Sequence, residues 1–278
     1  MKYISFLRPD GVAAYGRLQG EQVVDLAADR AAPADLKAAL AAANLESLES
    51  DKTWQMSEID LLPVIPNPTK IFCVGHNYES HRQETGRAKV DHPSIFTRFA
   101  DTLTAHGKPI IRPKVSTDLD YEGELAVIIG KGGRAIEEAN ALEHVAGYAC
   151  FNDASIRDWQ WHTRQFTPGK NFPATGPFGP WMVSADEAGD LSDIHVITRL
   201  NGKVMQDQPV RDMIFPIAEV IAYISAFTPL SPGDVIASGT PGGVGAKREP
   251  PVWMKPGDKV EVDIGPIGTL VNEIVQES

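Results

Sequence analysis

Two segments of the sequence place acidic side chains where they could do chemistry. Asp120, Glu122 and Glu124 alternate in DYEGELAVIIG, so on a strand they project to one face. The apolar run Leu125–Ile129 continues the strand and indicates burial on both faces. Asp153 follows a second apolar run, HVAGYACF. Carboxylates entering a buried strand must be paired, protonated or bound to a metal, whereas a solvated edge strand carries charge freely.

The metal interpretation predicts a specific class of ion. Glu122, Glu124 and Asp153 form an all-oxygen set, and no cysteine or paired histidine accompanies them. Such a set favours Mg²⁺, Mn²⁺ or Ca²⁺ over Zn²⁺. Three protein ligands would also leave room for water and a chelating substrate.

A histidine and a glutamate follow the predicted strand KIFCV, in GHNYESHRQETG. If this segment forms a helical turn, His81 and Glu84 lie three residues apart on one face. The carboxylate could then hold the imidazole in the orientation that a general base needs. The alternative is a surface turn with a chance ion pair.

Two cations and a glycine-rich turn could contribute to a substrate site. Lys170 lies in the loop-like stretch RQFTPGKNFPATGPFGPW, where a lysine is usually solvated, but the flanking phenylalanines could hold it as an oxyanion stabiliser. Arg157 has the planar fork that suits a carboxylate. SGTPGGVG lacks the G-K-[ST] ending of a nucleotide loop, yet its N–H groups and the Thr240 hydroxyl could bind a carboxylate.

Composition excludes several classes of function. The net charge of −11 and the pI near 5.1 argue against nucleic acid and anionic membranes as partners. The N-terminus meets a charge and a turn too early for a signal peptide, and no run reaches the ~20 apolar residues of a membrane span. We therefore expect a cytoplasmic protein.

Cys73 and Cys150 lie in apolar runs, as expected of buried reduced thiols rather than a disulfide or a reactive thiol.

Three prolines in LLPVIPNPTK divide the predicted strands and helices into two parts, with a boundary near residue 66. Residues 1–66 predict a small α+β domain, in which a β-meander precedes a helix over PADLKAALAAANLESLE. Residues 67–278 alternate short strands with turns and contain two predicted helices, EEANALEH and IFPIAEVIAYISAF. Too few helices separate the strands for a doubly wound sheet. The fold class is therefore α+β, mainly β, with a mixed or antiparallel sandwich or barrel.

From about residue 70 onward the chain resembles the fumarylacetoacetate hydrolase family. The resemblance is to its short bacterial branch of acylpyruvate hydrolases, oxaloacetate decarboxylases and hydroxyheptadienedioate isomerases or hydratases. The motifs that carry it occur in order: VGHNYESH, DYEGELAVIIGK, FNDASIRDWQ, GKNFPATGPFGPW, NGKVMQD, MIFPIAEVIAYIS, PGDVIASGTPGGVG and GTLVNEI.

The resemblance implies a role for each candidate residue. Glu122, Glu124 and Asp153 match the family's ligands for a divalent cation, Mg²⁺ or Mn²⁺. The His81–Glu84 dyad and Lys170 match its catalytic positions. The substrate-pocket set that it implies is Tyr78, Arg98, Arg157, Gln160 and Thr240. Arg98 departs from the lysine-proline of many relatives, which puts the substrate's tail in doubt, as does the insertion WHTRQFTPG.

For the activity, the resemblance implies a small anionic keto acid as substrate and, by analogy, a homodimer. We expect hydrolysis of the carbon–carbon bond of a 2,4-dioxo acid, with His81 activating water, Lys170 stabilising the oxyanion and a divalent metal polarising the substrate. The alternatives are an oxaloacetate-type decarboxylase and a 2-hydroxyheptadienedioate isomerase or hydratase. A non-catalytic protein that binds metal and dicarboxylate is a further alternative.

Overall fold

A large mixed sheet forms the centre of the computed structural model, which describes residues 1–278. Its path runs β4-β3-β2-β1-β14-β12-β11-β17-β6-β7, with β5 paired to β1 and β8 to β14. The strands of this sheet are β1 Lys2–Leu7, β2 Ala13–Gln19, β3 Gln22–Val24, β4 Thr53–Gln55, β5 Asp60–Leu61, β6 Ile71–Gly75, β7 Ser94–Arg98, β8 Leu103–Thr104, β11 Gly123–Ile129, β12 Val145–Asn152, β14 Gly176–Ser184 and β17 Val235–Ala237.

Two smaller sheets complete the β structure. One has the order β16-β15-β18-β19-β9, and the other consists of β10 and β13 alone. Their strands are β9 Ile110–Arg112, β10 Leu119–Asp120, β13 Ser155–Ile156, β15 His195–Leu200, β16 Lys203–Pro209, β18 Lys259–Asp263 and β19 Thr269–Gln276. Most pairs are antiparallel. The exceptions are β6 with β17, β8 with β14, and β9 with β19, so the mixed, mainly β prediction is confirmed.

Helices are few and short. They are α1 Leu36–Ala41, α2 Glu79–Glu84, α3 Arg157–Gln160, α4 Thr167–Lys170, α5 Ala185–Ala188 and α6 Ile217–Phe227. Single 3-10 segments occur at Leu26–Ala28, Leu45–Ser47, Met56–Glu58, Ala100–Thr102, Glu138–His144, Val210–Asp212, Gly245–Lys247 and Gly265–Ile267. The longest helix, α6, has 11 residues, and no helix qualifies as a membrane-spanning segment.

Three local predictions differ from the structure. The expected N-terminal helix is only α1, which Asp35 caps and after which Ala43 adopts a φ of 50°. EEANALEH forms a 3-10 helix rather than an α-helix. The proline- and glycine-rich stretch around Lys170 is not all loop, because Pro168 lies in the first turn of α4, where its missing N–H is not needed.

The acidic stretch is two strands rather than one. Asp120 ends β10, which pairs with β13, whereas Gly123 begins β11, which pairs with β12. Between them, the Asp153 N–H donates to the Glu122 carbonyl at 2.8 Å. The chain changes sheet at this point, so Asp120 and Glu122 do not simply alternate along one strand.

Strand β11 is buried along its whole length because apolar layers cover both faces. Leu125, Val127 and Ile129 pack with the five-stranded sheet and α6, while Ala126 and Ile128 face the opposite layer. The expectation of burial on both faces is confirmed. The two cysteines are free and buried, one in β6 and one in β12.

The N-terminal segment is joined to the rest of the fold by its first strand. Lys2 and Tyr3 in β1 pair with Val183 and Met182 in β14. Tyr3 also belongs to the same apolar cluster as Ile71. Strands β1 to β5 therefore extend the central sheet, and the boundary near residue 66 stays a prediction.

Candidate active site

Three buried carboxylates meet where β11 begins and β12 ends. Glu122 precedes β11, Glu124 is its second residue, and Asp153 follows β12. One carboxylate oxygen from each lies within 4.8 Å of the others, and all three residues are buried. The antiparallel pairing of β11 with β12 produces this proximity, because it places Gly123 opposite Asn152.

Lys170 forms ion pairs with two of the three carboxylates. Its Nζ donates to Glu122 Oε2 at 2.7 Å, to Asp153 Oδ2 at 2.6 Å and to the Asp153 carbonyl at 3.2 Å. An ammonium has three donors, so all of them are engaged. Helix α4 supplies this lysine, and Gly169 permits the close approach of α4 to Gln160 of α3, since a Cβ there would lie 2.5 Å from the Gln160 Cβ.

Arg157 neutralises Glu122 from the other side. Its Nη1 lies 2.6 Å from Glu122 Oε1 and donates to Gln160 Oε1 at 2.8 Å, while its Nε donates to Asp120 Oδ2 at 2.8 Å. The Nη2 atom is buried and has no hydrogen-bond partner. Asp120 therefore orients the guanidinium and does not join the carboxylate triad.

These charges shift the pKa values of Glu122, Glu124 and Lys170. Burial alone would raise the pKa of Glu122, but the cations of Arg157 and Lys170 outweigh it and hold that pKa well below its usual range. Burial lowers the pKa of Lys170 less than Asp153 and Glu122 raise it, so the amine stays charged. Glu124 differs, because burial, Asp153 and Glu122 together raise its pKa well above the usual value.

The surroundings of Glu124 indicate that the triad can hold a cation. Its only hydrogen bond is accepted from the Gly239 N–H at 2.8 Å, and no lysine or arginine pairs with it. A buried carboxylate in this position needs either a proton or a positive charge. A divalent ion beside three oxygen donors would supply that charge, so the residues present fit a divalent metal.

The dyad is assembled on α2, which confirms the predicted helical turn. His81 Nδ1 and Glu84 Oε1 lie 2.6 Å apart, and Glu84 Oε2 accepts from the Gly243 N–H at 2.8 Å. Gly243 has a φ of 103°, and a Cβ there would lie 2.2 Å from the Met205 carbonyl oxygen. The glycine-rich turn thus fixes Glu84, which in turn fixes the imidazole.

Asn77 holds the entry to α2 in place. Its amide donates to the carbonyls of Phe215 and Ser238 at 3.0 and 2.7 Å, and its oxygen accepts from the Phe215 N–H at 2.8 Å. Beside it, His76 adopts a φ of 56° and stacks on His81, with ring centroids 5.0 Å apart. Burial, His81 and Arg87 lower the pKa of His76 to about 3, so its ring is neutral.

A cavity of about 110 Å³ connects the triad with the dyad. The predicted site residues that line it are His81, Glu122, Glu124, Arg157, Gln160, Lys170 and Thr240. Glu84 and Asp153 lie directly behind this lining, hydrogen-bonded to His81 and Lys170. The Thr240 hydroxyl donates to the Gly123 carbonyl at 2.9 Å and accepts from Gln206 at 2.8 Å.

Two predicted substrate residues do not line this cavity. Arg98 is buried behind Asp153, where its Nη1 donates to Asp153 Oδ1 at 2.6 Å and its Nη2 to Thr175 at 2.7 Å. Tyr78 is buried in the apolar core with its hydroxyl unpartnered. In this arrangement Arg98 supports a carboxylate of the triad rather than reaching the cavity.

Sequence reasoning did not assign the residues that hold the site in place. They are His76, Asn77 and Asp120, together with Gly239 and Gly243, and all of them lie within the motifs already quoted. The alternating acidic residues drew attention to Asp120, but they did not indicate that it pairs with Arg157. Arg157, four residues after Asp153 and directly after the apolar Ile156, was the available signal, since a buried cation requires a carboxylate.

Comparison with known proteins identifies the family. Residues 70–275 match the model described as fumarylacetoacetate (FAA) hydrolase C-terminal. An oxaloacetate tautomerase of Bacillus subtilis (strain 168) is 43% identical over 225 residues, which cover 80% of this chain and 75% of that protein.

Solved structures agree in fold over the whole chain. A fumarylacetoacetate hydrolase from psychrophilic Exiguobacterium antarcticum superposes with a TM-score of 0.89 at 34% identity, covering 100% of both chains. A 2-hydroxyhepta-2,4-diene-1,7-dioate isomerase from Mycobacterium marinum gives 0.82 at 29% identity, covering 100% of this chain and 99% of that one. The chain belongs to the fumarylacetoacetate hydrolase family.

Proposed function

We propose that this protein is a divalent-metal-dependent enzyme that interconverts the keto and enol forms of a small 2-oxo diacid, with oxaloacetate as the model substrate. The observation that carries the proposal is the His81–Glu84 dyad beside a carboxylate triad in one cavity. The similarity to an oxaloacetate tautomerase supports keto–enol isomerisation better than the hydrolysis that the sequence first favoured.

Glu122, Glu124 and Asp153 would hold the metal, and their oxygen donors suit Mg²⁺ or Mn²⁺. When bound, the cation supplies Lewis acidity that polarises the 2-oxo group and acidifies the adjacent C–H bond. Arg157 Nη2, which is buried and lacks a partner, would donate to the substrate's first carboxylate. Lys170 helps to keep Glu122 ionised and forms an ion pair with Asp153.

His81 would move the proton. Glu84 accepts from Nδ1–H, so Nε2 is the free, basic nitrogen. In one direction Nε2 takes the proton from the carbon next to the 2-oxo group as the C–H electrons form the C=C bond and the π electrons of the C=O bond move to its oxygen. The imidazolium then gives that proton to the resulting enolate oxygen, which completes the enol, and the reverse sequence restores the ketone.

Hydrolysis of an acylpyruvate is the second candidate, because the same dyad could take a proton from water. The structural similarity to a fumarylacetoacetate hydrolase supports it. By analogy with the family we also propose a homodimer, which sedimentation velocity would test against a 30.2 kDa monomer.

One parallel assay separates the candidates. The protein is stripped with chelator and reloaded with Mn²⁺, and the ultraviolet absorbance of freshly dissolved enol oxaloacetate is followed with and without enzyme. Pyruvate and CO₂ are measured from oxaloacetate, and pyruvate plus free acid from an acylpyruvate. Metal-dependent loss of enol without CO₂ supports the tautomerase. Turnover of the acylpyruvate alone would establish the hydrolase, CO₂ would indicate a decarboxylase, and no reaction in any arm would favour the non-catalytic alternative.

A further inference from the structure

The cations inside the cavity leave one donor for a substrate carboxylate. Lys170 uses its three N–H groups on Glu122 and Asp153. Arg157 uses Nε and Nη1 on Asp120, Glu122 and Gln160, so only its Nη2 lacks a partner. A diacid brings two carboxylates, and burying the second one without a cation would be costly.

Two further cations line the same cavity and are not used by the proposed chemistry. Arg87 and Lys247 are both exposed, and neither forms an ion pair with a carboxylate of the chain. The Arg87 guanidinium lies over the ring of Phe166 at 5.6 Å, and the Lys247 amine lies over that of Trp161 at 5.7 Å. In a chain of net charge −11, two unpaired cations at one opening create a local anion site.

Each of these two cations lies next to a segment that positions residues inside the cavity. The Arg87 N–H donates to the carbonyl of Arg82 in α2, the helix that carries the dyad, at 3.1 Å. Lys247 ends the 3-10 turn in which the Gly245 and Ala246 N–H groups donate to Asp120 at 2.8 and 2.9 Å. Asp120 in turn orients Arg157. The backbone of Arg87 is therefore connected to the helix of the dyad, and the turn that carries Lys247 is connected through Asp120 to Arg157.

Building on the proposed function, we infer that Arg87 and Lys247 bind the distal carboxylate of the substrate and select 2-oxo diacids over 2-oxo monoacids. Arg87 supplies the planar fork that pairs with both oxygens of a carboxylate, and Lys247 adds a point charge. The aromatic rings beneath them restrict the two side chains and reduce the entropy lost when a ligand binds.

The test is equilibrium binding without turnover. Isothermal titration calorimetry on the Mn²⁺-loaded protein compares malate with 2-hydroxybutyrate, which has the same chain length and chelating end but a methyl group in place of the distal carboxylate. The variants are Arg87→Gln, Lys247→Gln and the charge-retaining Arg87→Lys. Arg134→Gln and Lys203→Gln are matched controls, because both residues are exposed and lie outside the cavity.

The wild type and both controls should prefer malate. Arg87→Gln should weaken malate binding about tenfold and change 2-hydroxybutyrate binding by less than about twofold, as expected for a lost hydrogen bond to a charged group. Lys247→Gln should weaken malate binding about threefold, and Arg87→Lys should retain part of the preference.

Several results would overturn the inference: no preference for malate in the wild type, equal loss for both ligands in the two glutamine variants, or no loss in either variant. The ratio of the affinities for malate and 2-hydroxybutyrate is measured without turnover. An absence of keto–enol activity in the wild type would therefore count against the proposed function alone.

Discussion

Replacing Arg98 with methionine should destabilise the metal-free protein strongly, although the residue does not line the cavity. Four buried carboxylates face three buried cations at the site: Asp120, Glu122, Glu124 and Asp153 against Arg98, Arg157 and Lys170. The substitution leaves only two cations for the same four carboxylates. It also leaves Asp153 Oδ1 and the Thr175 hydroxyl without their donor.

Removing one partner of a buried ion pair costs about 3–5 kcal/mol in the free energy of unfolding. We expect the lower end, about 3 kcal/mol, because Lys170 still contacts the other oxygen of Asp153 at 2.6 Å. Methionine fills much of the space of the arginine stem, so a cavity contributes little of the loss.

Urea unfolding in the presence of chelator would measure the effect. Arg134→Met is the matched control, since Arg134 is exposed and bonds only the Ala226 carbonyl at 3.2 Å. It should change the free energy of unfolding by less than about 0.5 kcal/mol. A loss for Arg98→Met no larger than that of the control would refute the reasoning that Arg98 compensates the buried acids.

Three further predictions concern the triad, the dyad and the response to acid. Glu124→Gln should leave the Tm in chelator unchanged or higher, because it removes a buried carboxyl group that no cation compensates, and it should abolish the rise in Tm that Mn²⁺ produces in the wild type. A rise in the variant as large as that in the wild type would contradict the ligand assignment. His81→Gln should lower kcat by about 10²- to 10⁴-fold while Mn²⁺ binding by calorimetry is retained, and a kcat near that of the wild type would remove His81 from the chemistry. Burial opposes ionisation of Asp25, but hydrogen bonds from Arg8 and Trp54 lower its folded pKa, so its stabilisation is present above the unfolded pKa of about 3.9 and is lost as the pH falls through the folded pKa. Urea unfolding should therefore separate the wild type from Asp25→Asn at pH 7 and much less near pH 2, and an equal difference at both pH values would argue against this ionisation.

The residues of the candidate site were predictable from the sequence because their signals are local. Glu122 and Glu124 enter an apolar strand two residues apart, and His81 and Glu84 have the spacing of one helical turn. The strands after residue 70 were equally predictable, since apolar runs alternate with turn residues. The one-turn helices were not, because four residues such as those of α3 carry too little periodicity to be recognised.

Only the tertiary structure decided which charge compensates which. Arg98 and Asp153 are 55 residues apart, and Lys170 and Glu122 are 48 apart, so no local pattern records these pairs. The break between β10 and β11 likewise follows from pairing with two different strands and turns Asp120 toward Arg157. The electrostatic energy of a buried group depends on the charges within a few ångströms of it, wherever they lie along the chain. The sequence by itself therefore predicted the candidate ligands and the candidate base of this protein, while the fold decided that Glu124 alone lacks a cation and that Arg98 supports Asp153 from behind.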